Sequence, residues 1–392
     1  MRAAYDTLPQ DLDFGEGKGT DPMRFNSVID RLTKKHWSRT EIDAMVGDAI
    51  EGYLTYATSA DVRAGAASGG TTSALLIHAL EIGAIDGAIV CCTRIVDGAV
   101  RAEFSLARTR EEILAARGSK YVETRFMRDV LEILRLNEGR FAVCGLPCDI
   151  SALHRWGQKE PELSAKVVYK IAFLCGHNSR TALIDGVIAK LAAESGGKDL
   201  TAYTFRSGHW RGRLSAEFNN GVIVEKPFSY FSDYRNLNFF SERKCMACSD
   251  HFGYAADLSI GDVWLYSLRD DPIKHSGVLV RTPTAQELVQ SASAAGVIDA
   301  QAVGREYILD GQSRVAPTHY NVSARVKAGE KLGIRIKDTV FERITPLKFL
   351  SAYLVMWNMR FSEKEHAHWI FRLPRPLIKL YLYIKKGLET VH

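Results

Sequence analysis

The chain has no run of about 20 apolar residues, so a membrane-spanning helix is not expected. Its first 90 residues contain no cysteine, which excludes a cysteine-ligated metal or cluster within that stretch. There is no internal repeat and no low-complexity tract. With 46% hydrophobic and 25% charged residues, a largely disordered, collagenous or small disulfide-stapled chain is excluded. Met1 to Gly19 mixes acidic residues with glycine and lacks the apolar core of a signal peptide, so a cytoplasmic location is expected. There the seven cysteines would stay reduced and serve as thiols or metal ligands. Neither charge sign dominates: 51 basic less 46 acidic residues leaves +5, which implies no nucleic-acid partner.

What is present is a succession of short elements. The 392 residues suggest two or three packed units. Residues 1–25 read as a loose leader, and 26–56 carry scattered helical periodicity. From Ala74 helix and strand alternate: a helix to Gly83, a buried strand from Gly87 to Arg94, and a capping box, Thr109-x-x-Glu112, opening a helix that stops near Gly118. A helix over Arg125–Leu136, strands over Arg140–Gly145 and Val167–Cys175, and a helix over Ser179–Ser195 follow. Beyond residue 200 the pattern changes. Leu214 to Lys226 alternates around Asn220-Gly221, a hairpin signal. Strands at Leu258–Gly261 and Gly277–Arg281 and a helix over Thr284–Ala295 complete this part. The expected fold is α/β and α+β: a mixed sheet with flanking helices, a second α+β portion, and a helical basic C-terminal tail.

Cys245-x-x-Cys248 has ligand spacing, because two thiolates of one turn can converge on one ion or cluster. Cys148 follows Gly145-Leu146-Pro147 at one predicted strand end, and Cys175 ends another. Four such thiolates suit a 4Fe-4S cluster or a zinc site of four cysteines, and the local pair alone also suits redox chemistry. Cys91 and Cys92 sit in an apolar strand and read as core thiols, as does Cys144, although Cys144-x-x-x-Cys148 would also suit a pair of ligands. Ala67-Ser68-Gly69-Gly70-Thr71-Thr72 leads into a helix, and its small residues would let backbone N–H groups approach a phosphate; a plain capped turn is the competing reading. In Gly118-Ser119-Lys120-Tyr121 the glycine suits a helix stop, while Lys120 and Tyr121 are open to ligand contact or to a surface role.

Taken in order, these pieces resemble the beta subunit of coenzyme F420 hydrogenase/dehydrogenase. The resemblance rests on Ala67-Ser68-Gly69-Gly70 with Ala84-Ile85-Asp86-Gly87, Gly118-Ser119-Lys120-Tyr121, Gly145-Leu146-Pro147-Cys148, Phe173-Leu174-Cys175-Gly176, Cys245-x-x-Cys248-x-Asp250 and Ala256-Asp257-Leu258-Ser259-Ile260-Gly261-Asp262, over roughly residues 50–285. It implies an FAD- and 4Fe-4S-dependent oxidoreductase. Cys148, Cys175, Cys245 and Cys248 would be the cluster ligands. Ser68, Gly69, Gly70, Thr71, Ser119, Lys120, Tyr121 and Asp262 would contact the flavin. His177 and Lys120 are the catalytic candidates, although His177 would equally cap the helix that follows it. Arg206, before Ser207-Gly208-His209-Trp210, would face the same cleft or the surface, and the surface is the favoured reading. The implied partners are an electron carrier such as ferredoxin or a reduced deazaflavin and a small organic substrate. Many relatives begin with a cysteine-rich ferredoxin-like segment, which residues 1–90 lack. The string Cys175-Gly176-His177-Asn178 is similar to bacterial members associated with polysaccharide biosynthesis. On this reading the chain divides into a leader with N-terminal helices (1–60), an α/β flavin-binding portion (61–200), an α+β portion with the Cys-x-x-Cys pair (201–330) and the tail (331–392). A non-catalytic accessory protein, stabilised by zinc or a cluster in a polysaccharide assembly, is the alternative.

The tail carries twelve basic and five acidic residues, 12 − 5 = +7, and nine aromatics. The remainder is then 39 − 41 = −2. Leu373–Leu388 mixes Leu, Ile and Tyr with Lys and Arg, a pattern suited to lying on the inner membrane face, to packing on its own core with basic residues outward, or to docking a partner protein.

Overall fold

The computed structural model describes residues 37–390. The expected leader, residues 1–25, lies outside them. Eleven strands are present among the described residues: β1 Glu51–Ala57, β2 Gly87–Val96, β3 Ala99–Ala107, β4 Phe141–Gly145, β5 Val167–Phe173, β6 Leu200–Ser207, β7 Arg213–Phe218, β8 Ile223–Pro227, β9 Leu258–Asp262, β10 Ser276–Val280 and β11 Ile298–Val303. Eight form a mixed sheet in the order β11-β1-β10-β9-β5-β4-β2-β3. Its middle, β9-β5-β4-β2, is parallel, and the strands to either side pair antiparallel. Every residue of β4 and β10 is buried, as expected of strands covered on both faces. Helices Thr71–Glu81 and Pro283–Ala294 cover one face, and Phe126–Leu136 and Pro147–Gly157 the other.

The mixed sheet, its flanking helices, a second sheet (β6-β7-β8) and C-terminal helices are therefore as expected from sequence. The hairpin turns at Asn220-Gly221, and the Thr109–Glu112 capping box forms. Four strands, β1, β3, β6 and β11, are not among those expected, and two of them are instructive. Part of 26–56, expected to be helical, is β1, an interior strand of the large sheet; the helix there is Arg39–Val46, opened by a Ser38–Glu41 capping box. β3 has no counterpart among the expected strands, yet Asp97-Gly98 joins it to β2 with both residues at positive φ (+50° and +71°), the geometry of a two-residue hairpin turn. Strands from both sides of residue 200 share the large sheet, because β9, β10 and β11 return to it.

The tail is built into the fold. Helix Pro346–Phe361 packs Val355, Met356 and Met359 against Met246 and Cys245. A 3-10 helix, Glu365–Arg372, and helix Arg375–Thr390 add Ile370, Phe371, Ile378 and Leu382 to the core beneath β6–β8. The Phe371 ring lies on Gly186 of helix Thr181–Ser195, where an added Cβ would fall 2.0 Å from a ring carbon. Gly186→Ala is expected to cost about 1–3 kcal/mol by overpacking. A lowered urea midpoint checks this; an unchanged midpoint would show that the ring moves freely.

Candidate active site

Parallel strands present their carboxyl ends at one edge of a sheet, and ligands bind there in open α/β folds. β4, β5 and β9 are parallel neighbours, and Cys148, Cys175 and Asp262 lie at or just beyond their ends. Cys148 is in the first turn of helix Pro147–Gly157, and Cys175 is two residues past β5. Cys245 lies in the short helix Arg243–Met246 and Cys248 just after it. All four are free thiols lining one cavity with Leu146, Pro147, His177, Asn178, Lys244, Asp250 and His319. Burial, followed by neighbouring negative charge, pushes the thiols of Cys148 and Cys175 well up. Burial likewise raises Cys248, and raises Cys245 to about 12. Among the described residues, no three His, Cys, Asp or Glu side chains form a group suited to one metal ion.

Positive charge flanks these thiols. Arg325 is buried, and its guanidinium donates to the carbonyl oxygens of Met246 (2.8 Å), Thr318 (2.8 Å), His319 (2.8 Å) and Cys248 (3.4 Å) rather than to a carboxylate. The Asn178 N–H donates to Cys245 Sγ at 3.3 Å. Both features favour thiolate over thiol at the Cys245–Cys248 turn.

A larger cleft of about 280 Å³ adjoins and shares Leu146, Cys175, His177 and Asn178 with the cysteine cavity. One wall is the loop before helix Thr71–Glu81. Gly70, at φ +79°, is the N-cap and supplies no side-chain cap, so first-turn N–H groups are left without one beside Thr71, Thr72 and Ser73, which line the cleft. Gly69 lies behind the loop: a Cβ there would sit 2.7 Å from the Thr55 carbonyl and 2.9 Å from that of Lys274. Ser68 Oγ donates to the His275 carbonyl (2.7 Å), and Lys274 Nζ to that of Ala66 (2.7 Å).

The remaining candidates converge on the same space. Ser68, Gly70, Thr71, Ser119, Lys120, Tyr121, His177 and Asp262 all line the cleft, and Gly69 supports it from behind. Lys120 is not a free ammonium: Nζ donates to the carbonyls of Ala116, Arg117 and Gly118 at a helix end, and burial lowers its pKa. His177 donates from Nε2 to the Arg235 carbonyl (2.9 Å); burial first and the Arg235 charge second hold the ring neutral. Arg235 returns a bond to the His177 carbonyl (2.5 Å) and lies over the Tyr121 ring at 4.9 Å. Cys91 and Cys144, read as core thiols, also border the cleft; Cys144 is buried and Cys91 is half-buried.

Arg206 corrects the surface reading. It is 3% exposed, bonds both oxygens of Asp262 at 2.9 Å, donates to the Ala67 carbonyl and stacks over Trp264 at 4.9 Å. It thus ties β6, β9 and the glycine loop together. Nothing local in the sequence marks it, since Asp262 is 56 residues away. Arg235 and Arg325 escape sequence reasoning for the same reason.

Two family models match in succession: the N-terminal part of the coenzyme F420 hydrogenase/dehydrogenase beta subunit over residues 53–132, and its C-terminal part over 138–306. The chain belongs to this family. The coenzyme F420 hydrogenase subunit beta of Methanosarcina barkeri is 24% identical over 67% of this chain and 84% of its own length. The chloroplastic 7-hydroxymethyl chlorophyll a reductase of Oryza sativa is 24% identical over 62% of this chain, which spans about half (49%) of that enzyme. A chain in the structure of the F420-reducing NiFe hydrogenase complex of M. barkeri aligns with TM-score 0.55 and 21% identity over 76% of this chain and 98% of its own, and so shares the fold. The family is one of oxidoreductases. No helix among the described residues is long and apolar enough to cross a membrane.

Proposed function

We propose that the chain is an oxidoreductase that holds FAD in the large cleft and a 4Fe-4S cluster on Cys148, Cys175, Cys245 and Cys248. It passes electrons between a one-electron carrier, such as ferredoxin, and a small organic substrate or deazaflavin-type cofactor. The observation that carries this reading is the shared wall of Leu146, Cys175, His177 and Asn178 between the thiol cavity and the cleft.

The residues present fit both groups. Thiols from three chain segments, a buried cation at Arg325 and an N–H donor at Cys245 suit an anionic cluster. Four sulfurs around a cavity also suit a cluster better than zinc, whose thiolate ligands all lie about 2.3 Å from one ion. That weighs against the zinc-stabilised accessory protein. The uncapped helix turn at Gly70 suits a pyrophosphate. Bound flavin would interconvert one- and two-electron transfer. The chain's own part is to position and shield. Lys274 and Arg206 fix the loop on which a phosphate would rest, and Val90, Phe104, Ile113 and Phe173 keep the wall apolar. His177 acts as a positioning residue, holding Arg235 over Tyr121.

Anaerobic purification tests the proposal. A brown protein with a flavin spectrum and about four irons per chain is expected; colourless protein with stoichiometric zinc would overturn it. The likeness of Cys175-Gly176-His177-Asn178 to polysaccharide-associated members supports a setting in surface polysaccharide biosynthesis. The sugar composition of cells lacking the chain checks that setting, and an unaltered composition would remove it.

A further inference from the structure

Helix Arg375–Thr390 buries Ile378, Leu382 and Lys385. The opposite side is exposed, and there the exposures are 54% for Leu377, 57% for Leu380, 69% for Tyr383 and 53% for Ile384. At 100° per residue these four fall in one arc with Pro376 and Gly387, and Lys379 stands at its edge. Of the three readings of this segment, packing with the basic side outward is met only in part: a lysine is buried and the outward face is apolar. A surface helix normally turns its polar face to water, and an apolar outward face needs cover.

The surroundings say what kind of cover. Trp369, 46% exposed, and the exposed Arg372 stand in the 3-10 helix just before this one, and Lys379 is exposed at the edge of the apolar arc. Helix Pro346–Phe361 exposes its own stripe, Leu347, Leu350 and Trp357, at spacings of three and seven. The tail as a whole carries +7 while the rest of the chain is −2. Apolar residues, an indole and a phenol that sit well at the headgroup level, and a cationic rim together match an anionic lipid surface. The face is too short to span and is held to the core by Ile378 and Leu382.

We propose that the outward face of helix Arg375–Thr390, with Trp369, docks the protein peripherally on an anionic lipid bilayer. The redox site would then work at the membrane surface, on a substrate or carrier held there. The inference does not depend on the identity of the cofactors.

Co-sedimentation of the full chain with vesicles tests it. Binding is expected to vesicles of phosphatidylcholine mixed with phosphatidylglycerol, weakening as salt is raised, with little binding to phosphatidylcholine alone. Leu380→Glu/Ile384→Glu should lower binding at least tenfold, since both side chains leave the interface and two like charges enter it. Its circular dichroism and visible spectrum should be unchanged, because both positions are exposed. Lys379→Glu should weaken binding about fivefold or more, the equivalent of one interfacial charge. Equal binding of the wild type and the double variant would overturn the proposal. So would a wild type that ignores anionic vesicles. If that wild type sediments as a dimer and the double variant as a monomer, the face belongs to a second copy; if both are monomers, it belongs to a protein partner.

Discussion

Arg206→Met is expected to destabilise the fold by about 3–5 kcal/mol, more than the overpacking at Gly186, because it leaves the carboxylate of Asp262 without its cation. The pair is bidentate and Arg206 is almost fully buried. Methionine fills much of the aliphatic volume, so the loss is chiefly electrostatic and hydrogen-bonding rather than a cavity. Two further contacts go with it, the bond to the Ala67 carbonyl and the stacking on Trp264. Asp262→Asn should also be costly, since it strands a buried guanidinium. The double variant Arg206→Met/Asp262→Asn should recover part of the loss, with a coupling of about 1–3 kcal/mol, because neither charge is then left alone. Denaturant midpoints of the four proteins measure this. Single variants within about 1 kcal/mol of wild type, or strictly additive effects, would show that the pair is not what holds β6 to β9. A second consequence concerns binding. With the Arg206 bond to Ala67 gone, the loop before helix Thr71–Glu81 is tied chiefly through Lys274, Ser68 and Gly69, so the proposed flavin retained on purification should fall even under conditions where the variant is folded.

This pair also shows where sequence reading stops. Local chemistry was legible. Asn220-Gly221 turns because both strands twist into a tight hairpin, and Thr109 with Glu112 satisfies helix-end N–H groups whatever surrounds them. The same reasoning applied to Asp97-Gly98 would have found β3. β1 was harder. Glu51–Ala57 has one fully polar flank and a short apolar run, so its period is ambiguous, and its state is set by antiparallel pairing with β10 and β11 more than 200 residues on. That the four cysteines would gather was legible because the residue type is rare, two of them follow strand ends and the other two share one turn; they line one cavity. Arg206, Arg235 and Arg325 were not. An arginine looks the same in sequence whether it faces water or bonds four buried carbonyls, and only the assembled sheet brings its partners within reach. The tail left its alternatives open for a related reason: helical periodicity locates an apolar stripe but does not say which side the core will take.

If the four cysteines hold the proposed cluster, Cys245→Ala is expected to abolish it, lowering iron from about four to below one per chain and removing the broad visible absorbance that accompanies it. Cys245 is the most constrained of the four. It lies in a short helix between Met246, packed on the tail, and the Asn178 N–H that meets its sulfur. Removing that sulfur leaves the Asn178 N–H and the Arg325 charge facing a smaller negative charge, and no spare cysteine lines the cavity: Cys144 and Cys91 border the cleft instead. Cys248→Ala, Cys148→Ala and Cys175→Ala should behave alike, because each thiolate would hold a different iron. Cys144→Ala is the control; it sits in β4 and borders the larger cleft rather than the cysteine cavity, so it should keep its iron. The proposed flavin should survive in Cys245→Ala, since the uncapped turn at Gly70 lines the larger cleft and Cys245 does not. Iron and acid-labile sulfide per chain, with the flavin released by heat, read all five variants. Full iron in Cys245→Ala or Cys248→Ala would show that the ligands lie elsewhere. Loss of flavin and iron together in every variant would show that the two sites fold as one unit, and retention of carrier-driven substrate reduction without iron would remove the cluster from the electron path.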